Sequence, residues 1–349
     1  GTDFVQPAGA PPVGGGGPFV GPYVAAVVCQ KLAFFTGPVT VTAGQISAVI
    51  TVQAQRSNGT PCDPTSVTVT LTSSSAGGTF FNSAGTTQLS PAQVTTDPAN
   101  SNKASFTYRD TVAGSPTITA SSNLTNAPQT ETVNPAAANK LSFNQQPTNT
   151  VAGVSISPAV TVRIEDQFGN LTSSAANVTI AIQNNPGGGT LSGTATVAAS
   201  GGVATFSNLS INKTGTGYTL QATSTGLTAA TSSAFDITAA AVSTLTFGQR
   251  PTDATAGVSI SPAVTVQAKD SLGNNVPSAS VVMRLGTGST GTLSGTTTRS
   301  TNTSGVATFD DLSINLVGSK QLRATSGTPS VTSTAFTITP AAANKLTFS

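Results

Sequence analysis

Two cysteines are the residues of this sequence whose positions most directly indicate chemistry. Cys29 and Cys62 are the only thiols in the 349-residue chain. A strand predicted to begin at Lys31 should run antiparallel to one that ends near Gln55, which brings Cys29 beside the loop that holds Cys62. We therefore predict a Cys29–Cys62 disulfide, which fits an oxidising compartment. A redox or metal role would need a charge that stabilises the thiolate, and no neighbouring residue supplies one.

Other side chains with catalytic potential are few and scattered. The sequence has no histidine, which excludes a histidine-based triad, an imidazole proton shuttle and a histidine metal ligand. A carboxylate pair for hydrolysis would have to come from residues such as Glu165, Asp166 and Asp236, and nothing in the sequence directs them to one cleft. We therefore expect no enzymatic activity, no catalytic residue, no metal and no cofactor.

Two aspartates occupy a turn that recurs along the chain. The turns at 166–170 and 270–274 share the pattern Asp-x-x-Gly-Asn, and Arg56-Ser-Asn-Gly-Thr60 takes the matching place nearer the N-terminus. Glycine supplies the positive φ that such a hairpin requires, and Asp or Asn bonds to the local backbone. A calcium site is the alternative, but one or two oxygens fall short of the six to eight that Ca²⁺ prefers. We predict turns without a metal.

These turns belong to a long repeat. The stretch Ala-Gly-Val-Ser-Ile-Ser-Pro-Ala-Val-Thr-Val occurs at 152–162 and, letter for letter, at 256–266. Gly-Val-Ala-Thr-Phe follows at 202–206 and again at 305–309. A period of about one hundred residues is too long for a solenoid unit and fits a tandem array of whole domains.

Composition and alternation predict that each repeat is made of strands. Apolar residues make up 37% of the chain and charged residues 7%, against roughly 25% charge in an ordinary soluble protein. The abundant threonine and valine suit a pleated surface. Strict alternation, as in Ile50–Ala54 and Val160–Ile164, indicates strands buried on one face, and two such sheets make a sandwich. About seven strands per repeat, with phenylalanines at inward positions, is the immunoglobulin-like pattern.

The repeat divides the chain into five segments. A Gly/Pro-rich segment at residues 1–28, interpreted as a flexible leader or a pairing strand, precedes three Ig-like domains at residues 29–137, 138–240 and 241–340. Residues 341–349 repeat the start of the second domain, so they are the first strand of a further repeat or a donor strand. Short junctions with little glycine are semi-rigid. The predicted fold class is all-β, with tandem immunoglobulin-like β-sandwiches in an extended rod.

Apolar residues near both ends of the chain are candidates for assembly. Tyr23 and Val28 bound a strand-type run that could pair with an exposed sheet edge. Leu346 and Phe348 would be unstable and sticky in an isolated strand. Either the natural protein continues past Ser349, or this strand inserts into the next molecule and gives head-to-tail polymerisation. Self-association into a filament is thus the expected partnership.

Charge and hydropathy exclude two further classes of partner. Fourteen basic and twelve acidic residues give a net charge of +2 without a basic cluster, so nucleic acid is not an expected partner. No apolar run reaches the roughly 18–20 residues that span a bilayer, so we expect no transmembrane segment.

The landmarks of the repeat resemble the tandem bacterial Ig-like domains of surface proteins, the invasin/intimin-type repeat family. The pattern Val-Thr-Val…Asp-x-x-Gly-Asn stands at 160–170, and Gly-Val-Ala-Thr-Phe…Leu-Ser-Ile stands at 202–211. The resemblance covers residues 140–340 well and 29–135 more loosely. It implies an Ig-like fold in a spacer, stalk or fibre, and it carries no catalytic residues.

Together these features predict a non-enzymatic extracellular or cell-surface structural protein. The array would form or extend a bacterial surface fibre, sheath or stalk. One alternative is an adhesin whose loops bind a host or neighbouring-cell ligand. Another is an accessory module of a secreted polysaccharide-active enzyme.

Overall fold

The computed structural model describes residues 28–62 and 65–342. In this part of the chain the regular structure is β-strand, apart from one short 3-10 helix at Pro98–Asn100. No helix among the described residues is long and apolar enough to cross a membrane.

The described chain divides into two compact units. Unit 1 runs up to Ala138 and includes Glu165–Thr172, and unit 2 contains Asn139–Ile164 and the residues from Ser173 onward. The all-β fold of tandem β-sandwiches is confirmed, and the three domain boundaries stay a prediction.

Unit 1 is built on two four-stranded sheets. Its strands are β1 (Lys31–Phe34), β2 (Thr40–Thr42), β3 (Ile50–Gln55), β4 (Thr68–Ser73), β5 (Thr79–Asn82), β6 (Gln93–Thr95), β7 (Lys103–Arg109), β8 (Thr117–Ser121), β9 (Ala127–Thr130) and β10 (Thr132–Asn134). One sheet has the order β1-β3-β7-β5 and the other β6-β4-β8-β9, and β10 pairs parallel with β2. The ten strands exceed the seven expected, and three of them, β2, β6 and β10, are only three residues long.

The core of unit 1 lies between these two sheets because the alternating residues of both point inward. Leu32 pairs with Ala54, and Val52 pairs with Ala104, in antiparallel register. Phe80 packs edge-on against Phe106 with ring centroids 5.8 Å apart. The buried apolar cluster includes Leu32, Ile50, Val52, Ala54, Val69, Leu71, Phe80, Phe106, Tyr108, Ile118 and Ala120. Residues from both sheets therefore share one core, as a sandwich requires.

The second repeat (residues 138–240) supplies the first group of strands in unit 2. These strands are β11 (Lys140–Gln145), β12 (Thr150–Val151), β13 (Val160–Glu165), β14 (Asn177–Asn184), β15 (Leu191–Ser192), β16 (Thr196–Ala198), β17 (Val203–Phe206), β18 (Ser210–Ile211), β19 (Gly215–Thr223), β20 (Ala230–Thr231) and β21 (Phe235–Thr238). Its three sheets have the orders β11-β13-β17, β12-β21-β19-β14-β16 with β20 beside β19, and β15-β18.

The third repeat (residues 241–340) follows the same plan in unit 2. Its strands are β22 (Thr244–Phe247), β23 (Ala254–Thr255), β24 (Val264–Lys269), β25 (Ser280–Leu285), β26 (Leu293–Ser294), β27 (Thr298–Ser300), β28 (Val306–Phe309), β29 (Ser313–Ile314), β30 (Gly318–Lys320), β31 (Leu322–Thr325), β32 (Ser330–Thr332) and β33 (Phe336–Thr339). The sheet orders are β22-β24-β28, β27-β25-β31-β32, β23-β33-β30 and β26-β29. Val266 pairs with Ala307, as Val162 pairs with Ala204 in the second repeat.

Two phenylalanines lie outside the predicted core, and one lysine is buried. Most described phenylalanines are buried or half-buried, but Phe35 is 58% exposed and Phe168 is 40% exposed. Lys320 is buried, and its Nζ donates to the hydroxyl of Thr290 at 3.3 Å and to the carbonyl of Val317 at 3.2 Å. The prediction that every phenylalanine is core was therefore wrong, because Phe168 lies in a turn and packs elsewhere.

Candidate functional site: the aspartate turns

The loop Glu165–Thr172 comes from the second repeat but belongs to unit 1. A bridge between Glu165 and Leu171 closes it, and Gly169 has φ +92°. The positive φ predicted for the turn glycines is confirmed here, at Gly273 (φ +77°) and at Gly59 (φ +86°). The strands on either side, β13 and β14, lie in different sheets. The connection is therefore a crossover between sheets, where the sequence had suggested a simple hairpin.

The carboxylate of Asp166 is fully buried and has a hydrogen-bond donor on each oxygen. Its Oδ1 accepts from the backbone N–H groups of Phe168 and Asn170, each at 2.9 Å. Its Oδ2 accepts from the Asn170 side-chain amide at 2.8 Å and from the N–H of Ala136 at 2.9 Å. Burial by itself raises the pKa of this carboxyl, but the donors outweigh burial, so the pKa of Asp166 lies below its usual value. Asp166 thus holds both its own turn and the segment around Ala136.

Asn170 and Phe168 extend the contacts of this turn within unit 1. The Asn170 amide donates to the carbonyl of Thr111 at 2.8 Å, and its oxygen accepts from the N–H of Ala113 at 2.9 Å. The Phe168 ring covers Gly44, where an added Cβ would lie 2.5 Å from the ring Cζ. One asparagine side chain therefore pairs with two backbone groups as a neighbouring strand would, and the ring covers the glycine beside them.

The turn of the third repeat makes the same local bonds inside unit 2. Oδ1 of Asp270 accepts from the N–H groups of Leu272 at 2.9 Å and Asn274 at 2.8 Å. Oδ2 accepts from the Asn274 amide at 3.0 Å and from the N–H of Ala240 at 3.2 Å. Burial raises the pKa of Asp270, and again these donors outweigh it and lower the pKa overall.

Asn274 and Leu272 then engage the second repeat. The Asn274 amide donates to the carbonyl of Asn212 at 3.0 Å, and its oxygen accepts from the N–H of Thr214 at 3.3 Å. Leu272 lies against Gly153, where an added Cβ would meet its Cδ1 at 2.8 Å. Lys213 donates from Nζ to the carbonyl of Leu272 at 3.1 Å. The two turns therefore contact equivalent groups with equivalent side chains.

The corresponding turn of the first repeat lacks these side chains. The N–H of Arg56 donates to the carbonyl of Thr60 at 2.9 Å, so the turn itself forms. Next to it the predicted disulfide joins Cys29 to Cys62, with their Cα atoms 5.2 Å apart. The side-chain amide of Asn102 donates to the Cys62 carbonyl at 2.6 Å. In the first repeat a covalent bond therefore lies beside the turn that carries an aspartate in the other two repeats.

The remaining predicted site residues are not brought together. Val28 is 71% exposed, whereas Tyr23, Leu346 and Phe348 lie outside the described residues, so the assembly hypothesis stays a prediction. Asp236 accepts from the N–H of Gly217 at 2.9 Å. Among the described residues, no group of three or more His, Cys, Asp or Glu side chains is placed to hold a metal ion.

A cavity of about 630 Å³ lies beside the Asp270 turn. Lys213, Lys269 and Asp236 are the charged residues of its lining, which is otherwise made of small, polar and aliphatic residues. A single carboxylate does not provide the pair of acids that hydrolysis of a glycosidic bond uses.

The sequence predicted the turns but not the distant backbone groups that their side chains bind. Each aspartate bonds an alanine N–H thirty residues earlier, Ala136 for Asp166 and Ala240 for Asp270. A signal was present in the sequence: Asp and Asn occur in the two turns that follow another repeat, and Arg56 and Thr60 replace them in the first. Turn formation alone does not require that difference, since all three turns close.

No protein-family model and no curated protein matches the chain. Among solved structures, it is similar to FdeC, an adhesin of Escherichia coli, with 18% identity and a TM-score of 0.46 over 89% of this chain and 96% of that one. Invasin, described as a bacterial integrin-binding protein, is 13% identical with a TM-score of 0.38 over 89% of this chain and 60% of that one. InvD of Yersinia pseudotuberculosis is 20% identical with a TM-score of 0.37 over 88% of this chain and 84% of that one. The likeness is one of fold.

Proposed function

We propose that this chain is a non-enzymatic, extracellular structural protein whose Ig-like repeats form or extend a bacterial surface fibre, sheath or stalk. The observation that carries the proposal is the recurring aspartate turn. Its buried carboxylate accepts four hydrogen bonds from N–H donors, one of them from the segment between repeats. All of this chemistry serves to fix the backbone. A chain whose buried acids connect repeats is suited to transmitting force or spanning distance.

The packing of the repeats supports the same function. Phe106, Phe206 and Phe309 are each buried within their own repeat, at 0%, 1% and 0% exposure. Their apolar surface is therefore used to stabilise the sandwich and is not offered to a ligand. The disulfide adds a covalent link in the first repeat, which suits an oxidising environment outside the cell.

Electron microscopy of the native material tests this function. A fibre protein gives ordered filaments that react with an antibody against the chain, and deletion of residues 341–349 or 1–28 abolishes them if terminal strands join the subunits. Loss of filaments on either deletion would support the head-to-tail strand addition that the sequence suggests.

The adhesin alternative gives a different result in the same preparation. An adhesin stays monomeric by sedimentation at micromolar concentration and binds host or neighbouring cells saturably. Saturable binding by a chain that forms no filament would overturn the structural role. A catalytic activity of the purified chain would overturn the non-enzymatic part of the proposal.

A further inference from the structure

The three repeats present the same set of backbone groups at one end. In each repeat the N–H of a glycine donates to a backbone carbonyl. The pairs are Gly44 and Asp110 at 2.7 Å, Gly153 and Ile211 at 2.9 Å, and Gly257 and Ile314 at 2.9 Å. We call this glycine, the loop after its acceptor, and the alanine of the following segment the end face of a repeat. In the first repeat the end face consists of Gly44, Thr111, Ala113 and Ala136, and in the second of Gly153, Asn212, Thr214 and Ala240.

The first two end faces each hold an Asp-x-x-Gly-Asn turn. In both, the asparagine bonds a carbonyl and an N–H two residues apart, the aspartate bonds the alanine N–H, and an apolar side chain covers the glycine. The apolar side chains are Phe168 and Leu272. The same groups are therefore used twice, by turns of the same type, at two separate places in the chain.

The end face of the third repeat consists of Gly257, Asn315, Val317 and Ala341, by alignment with the other two. Within residues 28–62 and 65–342, no partner bonds the Asn315 carbonyl or the N–H groups of Val317 and Ala341. A Cβ added at Gly257 meets nothing within 4 Å. Leu316 and Val317 are 46% and 45% exposed. This end face has the groups that the other two use, without the turn.

We propose that the end face of the third repeat is a docking site for a further Ig-like repeat that carries an Asp-x-Phe/Leu-Gly-Asn turn. The aspartate of that turn accepts from the Ala341 N–H. Its asparagine pairs with the Asn315 carbonyl and the Val317 N–H, and its apolar side chain covers Gly257. The inference rests on the geometry of the two occupied end faces, and it holds whether the array is a fibre or carries an adhesive domain.

The first repeat of a second copy of this chain does not fit as the occupant. Its turn has Arg56 where the acceptor carboxylate is needed, and Thr60 where the amide is needed. A threonine hydroxyl donates and accepts through one oxygen, whereas the planar amide of asparagine has a separate donor for the carbonyl and a separate acceptor for the N–H. Lys320, whose Nζ bonds the Val317 carbonyl at 3.2 Å, also places a positive charge at this end of the repeat, which opposes Arg56. The other two turns are already engaged in their own chain.

An extended chain tests the proposal. Residues 1–341 are joined directly to a second copy of residues 241–349, so that the added turn follows Ala341 at the spacing by which Asp270 follows Ala240. The control is the same extended chain in which the added copy alone carries D270R, L272N and N274T, the residues of the first repeat's turn. Amide hydrogen exchange at Val317 and Ala341 is compared in the two extended chains and in the original chain.

We expect these two amides to exchange about tenfold more slowly in the extended chain than in its control or in the original chain. Equal rates in the two extended chains would overturn the proposal. Slower exchange in the original chain as its concentration rises would make a second copy the occupant, which also overturns it.

The control could fail to test docking only by failing to fold, and unprotected core amides in its added copy would show that. A second variant is used in that case. Gly257→Ala in the inner third repeat places a methyl group where the docked apolar side chain would lie. It should remove the protection of Val317 and Ala341 in the extended chain. The original chain carrying Gly257→Ala should exchange at those amides as the unsubstituted chain does. Protection that survives Gly257→Ala in the extended chain would contradict docking at this face.

Discussion

The carboxylate of Asp270 accepts a hydrogen bond from the backbone N–H of Ala240, thirty residues earlier in the chain, at 3.2 Å. Asp166 and Ala136 repeat the relationship with the same separation, at 2.9 Å. Ala240 lies in the segment that leads from the second repeat into the third, so the second and third repeats each bind the segment by which the chain enters them. A short connection is thereby fixed by a buried charge that would otherwise be costly to bury.

Loss of the Asp270 charge should destabilise unit 2. Asp270→Asn replaces an acceptor-only group with an amide whose NH₂ faces N–H donors, so at least one buried donor loses its partner. We expect the free energy of unfolding to fall by about 1–3 kcal/mol, measured by urea denaturation. Asp310→Asn is the control, because Asp310 is 65% exposed and pairs with Arg299 at the surface. Equal effects of the two substitutions would contradict the role of Asp270.

Stability should depend on pH through Asp166 and Asp270. The pKa of each carboxyl is lower in the folded chain than in the unfolded chain. Their contribution is therefore fully present above the unfolded pKa of about 3.9 and is lost as the pH falls through the folded value. We expect the free energy of unfolding to be nearly constant from about pH 7 to 5 and to decrease below about pH 4.

The double variant D166N/D270N isolates this contribution, because the other acids of the chain titrate in both proteins. Denaturant titrations of the two proteins between neutral and acidic pH should show a shallower acid dependence in the variant. Parallel curves would mean that the two turns contribute nothing to the acid sensitivity.

Three glycines with nearly equal φ separate the effect of backbone strain from the effect of side-chain contact. Gly44, Gly153 and Gly257 have φ values of +81°, +78° and +79°, so alanine at each site incurs a similar strain. At Gly44 and Gly153 the new methyl group must also displace Phe168 or Leu272, whereas at Gly257 it meets nothing within 4 Å. We expect G44A and G153A to lower the free energy of unfolding by about 1 kcal/mol more than G257A does. Thermal unfolding of the three variants measures this difference. Equal losses of stability would show that the contacts of Phe168 and Leu272 with these glycines do not matter.

Removal of the disulfide should weaken the first repeat. Cys29 and Cys62 are separated by 33 residues, and closing a loop of this size stabilises a fold by about 3–4 kcal/mol in the chain-entropy model. The double variant C29S/C62S should therefore melt at a lower temperature by calorimetry. A reductant should shift the wild-type protein towards the variant and leave the variant unchanged. If the oxidised protein and the variant melt together, the bond does not stabilise the fold.

Local regularities of the sequence were sufficient to predict the strands, the disulfide and the turn glycines. Strands buried on one face repeat every two residues, so alternation such as Val160–Ile164 predicts both the strand and its buried side. Positive φ favours glycine, so the position of Gly169 predicts the turn. The spacing of Cys29 and Cys62 predicted their bond once two strands were assumed to pair. All of these depend on residues close in sequence or on one simple pairing.

Only the tertiary structure decided what the aspartate turns are for and which hydrophobic residues leave the core. Asp166 meets Ala136, and Asn170 bonds Thr111, because the fold brings together groups that are distant in the sequence. Turn propensity is the same whether a turn faces water or another repeat, so it does not distinguish these cases. Phe168 is as apolar as a core residue, yet its ring covers Gly44. The residue that a turn side chain contacts depends on neighbours that are far away in the sequence.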